Sequence, residues 1–405
     1  MNKVLNIERF EQEFDDPEKT TNAGKPEEYQ EIFAGNIDDS FRLGVRLNMN
    51  KGLCLYSEFY NSDIIVASPL GLKLSSENSS GSKGAGTSKS GSEYDYLSSI
   101  EVLVMDQCDA FLMQNWEHVL SILQKINNVP KKIHPSTDFS RVQSYFLDAN
   151  SKYFRQNLLF TDYFTPEILS IFNSTCENIN GKYKVASLYS TTNSSINHVT
   201  TKPLPQVFYK IPSPLVSGSD PEKQVMPTDQ RFNYFCQNFS KLLFVPGTFV
   251  FVSSYFDYVR VRNYINHITE NPSSVFKRFV SREELIKSPA FLNEYTSKSN
   301  VSRFRSHFFH GNSSVMLYSE RFHYYYRYKI RGIKQIIFYS LPEHPQYYPE
   351  IVNLLESDTT SNLSLSTPRC HVLFDTLDSL RLERIIGSSE TSNILSSFQS
   401  KFTFV

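Results

Sequence analysis

Apolar residues recur along this chain in two rhythms. In residues 3–14, Val4, Leu5, Ile7, Phe10 and Phe14 keep a helical period. Short, mostly β-branched runs then appear at Leu53–Tyr56, Ile64–Ala67 and Val102–Met105, with helical segments between them. Such runs predict a parallel sheet covered on both faces. Residues 75–92 are almost all Ser, Gly and Lys and cannot bury enough apolar surface to order, which predicts a flexible surface insertion. A further strand is expected at Leu158–Thr161, and a helix from Pro166, where proline suits the first turn. Residues 190–230 are rich in Ser, Thr, Asn and Pro, and 201–230 is the expected linker. The pattern then restarts: strands at Phe249–Ser253, Val315–Tyr318, Gln335–Tyr339 and Val372–Phe374, and a helix near Asp257–Ile268. The expectation is an α/β protein of two successive units, 1–200 and 231–405.

Composition narrows the partners. Lys and Arg number 41 against 42 Asp and Glu, so any nucleic-acid surface has to be a local patch. The five cysteines lie far apart, with no CxxC and no neighbouring histidine at ligand spacing. Reduced thiols and no metal are expected. No apolar run reaches the ~18 residues that span a bilayer. The amphipathic, acidic start MNKVLNIERFEQEF fits neither a signal nor a transit peptide, leaving cytosol or nucleus.

Two stretches carry candidate chemistry. The first is Asp106-Gln107-Cys108-Asp109, between the Val102–Met105 strand and an amphipathic helix. Asp106 and Asp109 have the chemistry to bind magnesium. The plainer reading, which we favour, is a strand-end acid and a helix cap. The second is residues 301–334, where Arg303, Arg305, Arg321, Arg327, Lys329, Arg331 and Lys334 face only Glu320. His307, His323 and Tyr324-Tyr325-Tyr326 are interleaved. Arginines pair with phosphates and tyrosines offer faces for bases, so Arg303, Arg305, Arg321, Tyr325, Arg327, Lys329 and Arg331 form the candidate RNA or partner surface. The alternative is an amphipathic element with its tyrosines packed inward and its arginines solvated or paired with acids. Trp116 with His118 is expected to be packing, Asn36, Asp38 and Asp39 a turn and cap, and Asp138, Arg141 and Asp148 caps and surface ion pairs.

The order of these blocks resembles a superfamily-two RNA helicase of two RecA-like lobes. Asp106–Asp109 stands where that fold carries its DExD box, with Gln107 in place of the glutamate. Ile65-Val66-Ala67-Ser68-Pro69-Leu70-Gly71 resembles the RNA-backbone segment without its arginine. Leu159–Tyr163 occupies the SAT position without matching it. Phe249–Tyr255 resembles the strand before motif four, Arg331-Gly332 survives of motif five, and Tyr347-Tyr348-Pro349 stands where motif six would put its arginines.

Longer blocks, FAGNIDDSFRLGVRL (33–47), LYSEFYNSDIIVASPLGLKL (55–74), LMQNWEHVL (112–120), DFSRVQSYFLD (138–148) and YSERFHYYYRYKIRGIKQIIFYSLPEHPQYYPEIV (318–352), resemble the digestive organ expansion factor family, whose fungal branch is U-three small-nucleolar-RNA-associated protein 25. No GxxxxGK[ST] occurs, and the chain resembles that family's carboxy-terminal portion, which implies a first lobe truncated at its N-terminus. The resemblance implies a nucleolar factor of the small-subunit processome, needed for early cleavages toward 18S rRNA. Its partners would be pre-ribosomal RNA and U-three snoRNA-containing processome proteins, with no cofactor, membrane or small-molecule substrate. Missing phosphate loop, glutamate and arginines together point to a non-catalytic pseudo-helicase. The alternatives are an ATP-dependent RNA helicase whose phosphate loop lies upstream, and a purely protein-binding scaffold.

Overall fold

The structure is a computed structural model that describes residues 4–14, 24–35, 38–48, 52–80, 94–130, 138–200, 204–212, 226–271, 288–355 and 369–405. It divides into two compact units, residues 1–185 and 186–405.

In the first unit, β1 (Val4–Leu5), β2 (Arg42–Asn48), β3 (Gly52–Leu55) and β4 (Ile64–Ala67) form one sheet in the order β1-β3-β2-β4. The expected parallel sheet is corrected here, because β2 runs antiparallel to both β3 and β4. Helices α1 (Ile7–Phe14), α2 (Glu27–Ile32) and α3 (Pro69–Ser80) belong to the same stretch of chain. The proposed insertion at 75–92 is corrected in part: residues 75–80 continue α3, and 81–92 lie outside the described residues. A second sheet pairs β5 (Val102–Met105) in parallel with β6 (Gln156–Leu159). Behind β5 come α4 (Cys108–Met113) and α5 (Trp116–Leu123), separated because Asn115 caps α5 by accepting from the Glu117 N–H. The short α6 (Ser144–Leu147) follows, and α7 (Pro166–Ser174) starts behind the Thr165 cap. Trp116 packs on the cluster of Met105, Cys108, Val119, Ile122 and Ile168, as expected. Coverage on both faces does not hold, since Ile64, Val66, Val102 and Val104 are exposed.

The second unit is built on one seven-stranded sheet, ordered β13-β7-β12-β11-β8-β10-β9. Its strands are β7 (Gln206–Lys210), β8 (Thr248–Val252), β9 (Ala290–Leu292), β10 (Val315–Ser319), β11 (Gln335–Phe338), β12 (Cys370–Phe374) and β13 (Lys401–Phe404). All neighbours are parallel except β13, which closes the edge antiparallel to β7. The interposed helices are α8 (Pro227–Phe239), α9 (Tyr255–Glu270), α10 (Lys298–Phe309), α11 (Glu320–Tyr326), α12 (Tyr347–Val352), α13 (Ser379–Ile386) and α14 (Ser388–Ser396). Every residue of β8 and β10 is buried, because both sheet faces are covered. Val250 and Val252 pack with Phe235, Tyr258, Val261 and Ile265 of α8 and α9, while on the other face Phe251 meets Phe338, which stacks on Tyr348 of α12. The linker expected at 201–230 is corrected: β7 lies inside it, paired with β12, and α8 begins at Pro227.

Candidate nucleic-acid interface

In an open parallel sheet, ligands bind beyond the carboxyl ends of the strands, where the chain order reverses. In the second unit that place lies between β8 and β11, and the chain fills it with its own polar groups. The Ser253 N–H donates to the Ser340 hydroxyl at 2.8 Å. Glu320, fully buried at the start of α11, accepts from the Glu343 N–H at 2.9 Å and the His344 N–H at 3.2 Å. Glu343 in turn accepts from Arg381 at 2.6 Å and Arg384 at 3.2 Å. Burial alone raises the Glu343 carboxyl, but these arginines hold it below the usual carboxylate range. Over β12, Arg231 donates to Asp375 at 2.6 Å and to Asp378. Burial opposes the Arg231 charge, and the two aspartates overcome it, raising its pKa.

The 301–334 stretch is split between inside and outside. Arg327 and Arg321 are corrections to the candidate surface. Arg327 is buried, lies 4.3 Å over the Tyr347 ring and donates to Glu350 at 2.6 Å. Its φ of +42° caps α11 in the left-handed region. Arg321 faces Glu294 at 3.4 Å with most of its side chain covered. Tyr325 is half-buried and packs edge-on against Tyr324. His323 lies between Tyr318 (3.0 Å at Nδ1) and Glu350 (3.0 Å at Nε2). Burial lowers its pKa, so it is the neutral ring that accepts from the tyrosine and donates to the carboxylate.

Four of the candidate cations lie outside. Arg303, Lys329 and Arg331 are exposed, and Arg305 is half-buried over the Tyr328 ring with one N–H on the Lys329 carbonyl at 3.3 Å. Arg305 and Arg331 line a groove of about 250 Å³ with Ser302, Ser306 and Phe309. The two strands of chain that form it approach closely at Gly332, where φ is +89° and a Cβ would come within 3.1 Å of the Phe309 Cα. Two guanidinia, two hydroxyls and an exposed phenyl suit a phosphate and an adjoining base. Ser302, Ser306 and Phe309 were missed by the sequence reading. Their signal was the helical spacing 302, 305, 306 and 309, which puts all four on one face of α10.

The acidic box in the first unit is built as a joint. Gln107 has φ +49° and precedes α4. Asp106 is exposed and accepts the Gln107 N–H at 3.1 Å. Asp109 is buried and accepts from the Thr161 hydroxyl at 3.2 Å and the Asp162 N–H at 3.4 Å, while the Cys108 N–H donates to the Phe160 carbonyl. Burial pushes the Cys108 thiol up to about 12. Asp109 therefore ties α4 to the segment after β6, which corrects the expected helix cap: the N-cap of α4 is Gln107, and its side chain makes no capping hydrogen bond.

Comparison with known proteins fits this arrangement. Residues 1–183 match the family model "UTP25, NTP hydrolase-like domain", and residues 195–404 match "Utp25, C-terminal domain". The chain belongs to the UTP25 family. Among curated UTP25 proteins, U3 small nucleolar RNA-associated protein 25 of Botryotinia fuckeliana is 38% identical over 99% of this chain and 52% of its own length. The Homo sapiens homolog is 38% identical over 99% and 48%, and the Schizosaccharomyces pombe protein 36% over 100% and 57%. The chain thus spans about half the length of the UTP25 relatives it matches. Solved DEAD-box proteins overlap it more loosely. One from Methanococcus jannaschii has TM-score 0.30 and 13% identity over 74% of this chain and 60% of that one. S. cerevisiae Dbp5 bound to RNA and ADP BeF3 has TM-score 0.30 and 11% identity over 74% and 58%. At that overlap no residue's role transfers.

The ion pairs of the second unit make its stability pH-dependent. Burial, then the Lys401 charge, push the His371 pKa from 6.5 down to about 4. Below pH 6.5 the unfolded chain takes a proton that the folded imidazole refuses, so stability falls as pH drops from 6.5 to 4, by up to ~3 kcal/mol. Glu343 and Glu350 are held below 4.5 despite burial, so their contribution is present above 4.5 and lost below it. We expect amide exchange of β7 and β12 to accelerate in two steps on acidification. His371→Asn should flatten the first step only; an unchanged profile would contradict the assignment.

Proposed function

We propose that this chain is a non-catalytic assembly factor in U3 small nucleolar RNA-linked ribosome biogenesis, working in the nucleolus on pre-ribosomal RNA. Its relatives' names, U3 small nucleolar RNA-associated protein 25, support the setting. The observation that carries the non-catalytic part is the self-filled switch point between β8 and β11 in the second unit, where Glu320, Glu343, Arg381, Arg384 and the Ser253–Ser340 pair are taken up by one another. The first unit agrees: the Gln107 amide cannot take a proton as a carboxylate would, and Asp109 is committed to Thr161 and Asp162. Its RNA would lie along the Arg303, Arg305, Lys329 and Arg331 face, held at its phosphates. The small-subunit processome and early 18S-directed cleavages are the stage this reading gives it, with processome proteins as further partners.

Restoring the box acid tests the catalytic half. Gln107→Glu should give no ATP turnover with or without RNA, because this chain carries no glycine-lysine phosphate loop for the acid to serve. RNA-stimulated phosphate release from that variant, measured against wild type, would overturn the reading. Binding of single-stranded pre-rRNA fragments over a salt series tests the other half.

A further inference from the structure

The carboxyl edge of the second unit is filled over β11 and β12, but over β8, β9 and β10 it presents aromatic rings. Tyr255 and Phe256 begin α9 directly after β8, and Tyr295 follows β9. Phe256 is 87% exposed in the first turn of α9, and Tyr295 70% in the turn between β9 and α10. Tyr255 meets Tyr295 edge-on at 5.7 Å and lies nearly parallel to Tyr258 one turn below, at 6.3 Å. Tyr255 and Tyr295 are therefore held in contact, and the Phe256 ring, next to Tyr255 in sequence, faces water.

Beneath them is a polar floor that is incompletely used. Ser319, at the end of β10, donates to one Glu294 carboxylate oxygen at 3.4 Å. The other Glu294 oxygen, the Tyr258 hydroxyl and the Arg321 Nε are all buried, with no hydrogen-bond partner among the described residues. The Glu294 side chain is 6% exposed, and its contact with Arg321 is a 3.4 Å approach of charges. A buried polar group without a hydrogen bond carries a desolvation cost, and a ligand that supplies donors and acceptors recovers part of it. The rim is cationic: Lys298 is exposed at the start of α10, and the half-buried Arg262 stands near the same floor.

Solvent-facing rings, a floor with unused donors and an acceptor, and a cationic rim match one ligand chemistry, an unpaired nucleotide. We propose that Tyr255, Phe256 and Tyr295 form a stacking platform for bases of single-stranded RNA, with Lys298 at an adjoining phosphate. A protein's apolar surface would use the rings but would leave the polar floor and the cations unanswered. Duplex RNA keeps its bases inside the helix and gains nothing from such a platform. The inference rests on the RNA-binding reading above, but the site is separate from the Arg305–Arg331 groove, which is lined by the far half of α10.

The test uses the full chain and a 4-thiouridine-labelled single-stranded RNA, with photo-crosslinked peptides mapped by mass spectrometry. Crosslinks are expected on the peptides holding Phe256 and Tyr295. Phe256→Ala/Tyr295→Ala should weaken single-strand binding at least tenfold, leaving the salt slope and duplex affinity unchanged, while Phe256→Tyr/Tyr295→Phe should retain it. RNA bound normally by the alanine variant, with crosslinks elsewhere, overturns the platform and leaves the groove standing. Loss of a processome protein from pull-downs with RNA affinity intact assigns the rings to a protein and also overturns it. If wild type binds no RNA at all, this inference falls together with the reading it rests on.

Discussion

Arg231→Ala should destabilise the second unit by about 3–5 kcal/mol, a large share of the stability of any single domain. The guanidinium is 8% exposed and holds two aspartates, Asp375 at 12% and Asp378 at 2% exposure, at the carboxyl end of β12. Truncating it leaves Asp375 without its cation and Asp378 held by Arg381 at 3.0 Å, with both carboxylates still away from water. The loss is greater because Asp378 also accepts the Asp375 N–H at 3.0 Å and Asp375 accepts the Leu377 N–H at 2.7 Å, so the turn that enters α13 is built on the same groups. Asp375→Asn/Asp378→Asn added to Arg231→Met removes all three charges and should recover much of the loss, since an apolar or neutral set of similar volume strands no charge away from water. Hydrogen exchange of the β11 and β12 amides, read over a urea series, checks both variants. Equal destabilisation by Arg231→Ala and the triple variant would show that the turn, not the ion pairs, depends on Arg231.

The second large effect is on RNA. Arg305→Glu/Arg331→Glu should weaken binding of single-stranded pre-rRNA fragments about 100-fold at moderate salt, because it removes two phosphate contacts and adds two repulsions. The slope of log affinity against log salt should become shallower by about 1.4, two contacts at ~0.7 each for a single strand. Lys241→Glu, an exposed charge reversal on the same unit but outside the groove, should change affinity far less. Fluorescence anisotropy over a salt series distinguishes these outcomes. Equal losses from Lys241→Glu and from either groove variant would mean that the effect is net charge alone.

The second unit's centre was legible because β8, β10 and β11 are continuous apolar runs, which only a doubly covered strand explains. Strand β7 was hidden by its flanks: Pro203, Pro205, Pro212 and Pro214 give the Gln206–Lys210 run the look of a linker. Its strand character comes from long-range pairing with β12 and β13, which local pattern does not register. The same limit governs the arginines. A count of charge over 301–334 finds only Glu320, yet Arg321 is answered by Glu294 and Arg327 by Glu350, both outside that window. Arg305 and Arg331 were correctly grouped by type, but only the close approach at Gly332 brings them into one groove with Phe309. Of the acidic box, Asp106 was legible as a strand-end acid, whereas the tie of Asp109 to Thr161 and Asp162 is a long-range contact and the left-handed backbone at Gln107 has no sequence signature.

On the proposed function, a chain that works without a nucleotide cycle holds RNA equally well whatever nucleotide is in solution. The most direct test is the affinity of the chain for single-stranded pre-rRNA with and without ATP·Mg²⁺, and with ADP·Mg²⁺. The expected result is the same dissociation constant in all three, within about twofold, and the same salt slope. An affinity that rises with ATP·Mg²⁺ and falls with ADP·Mg²⁺ would contradict it.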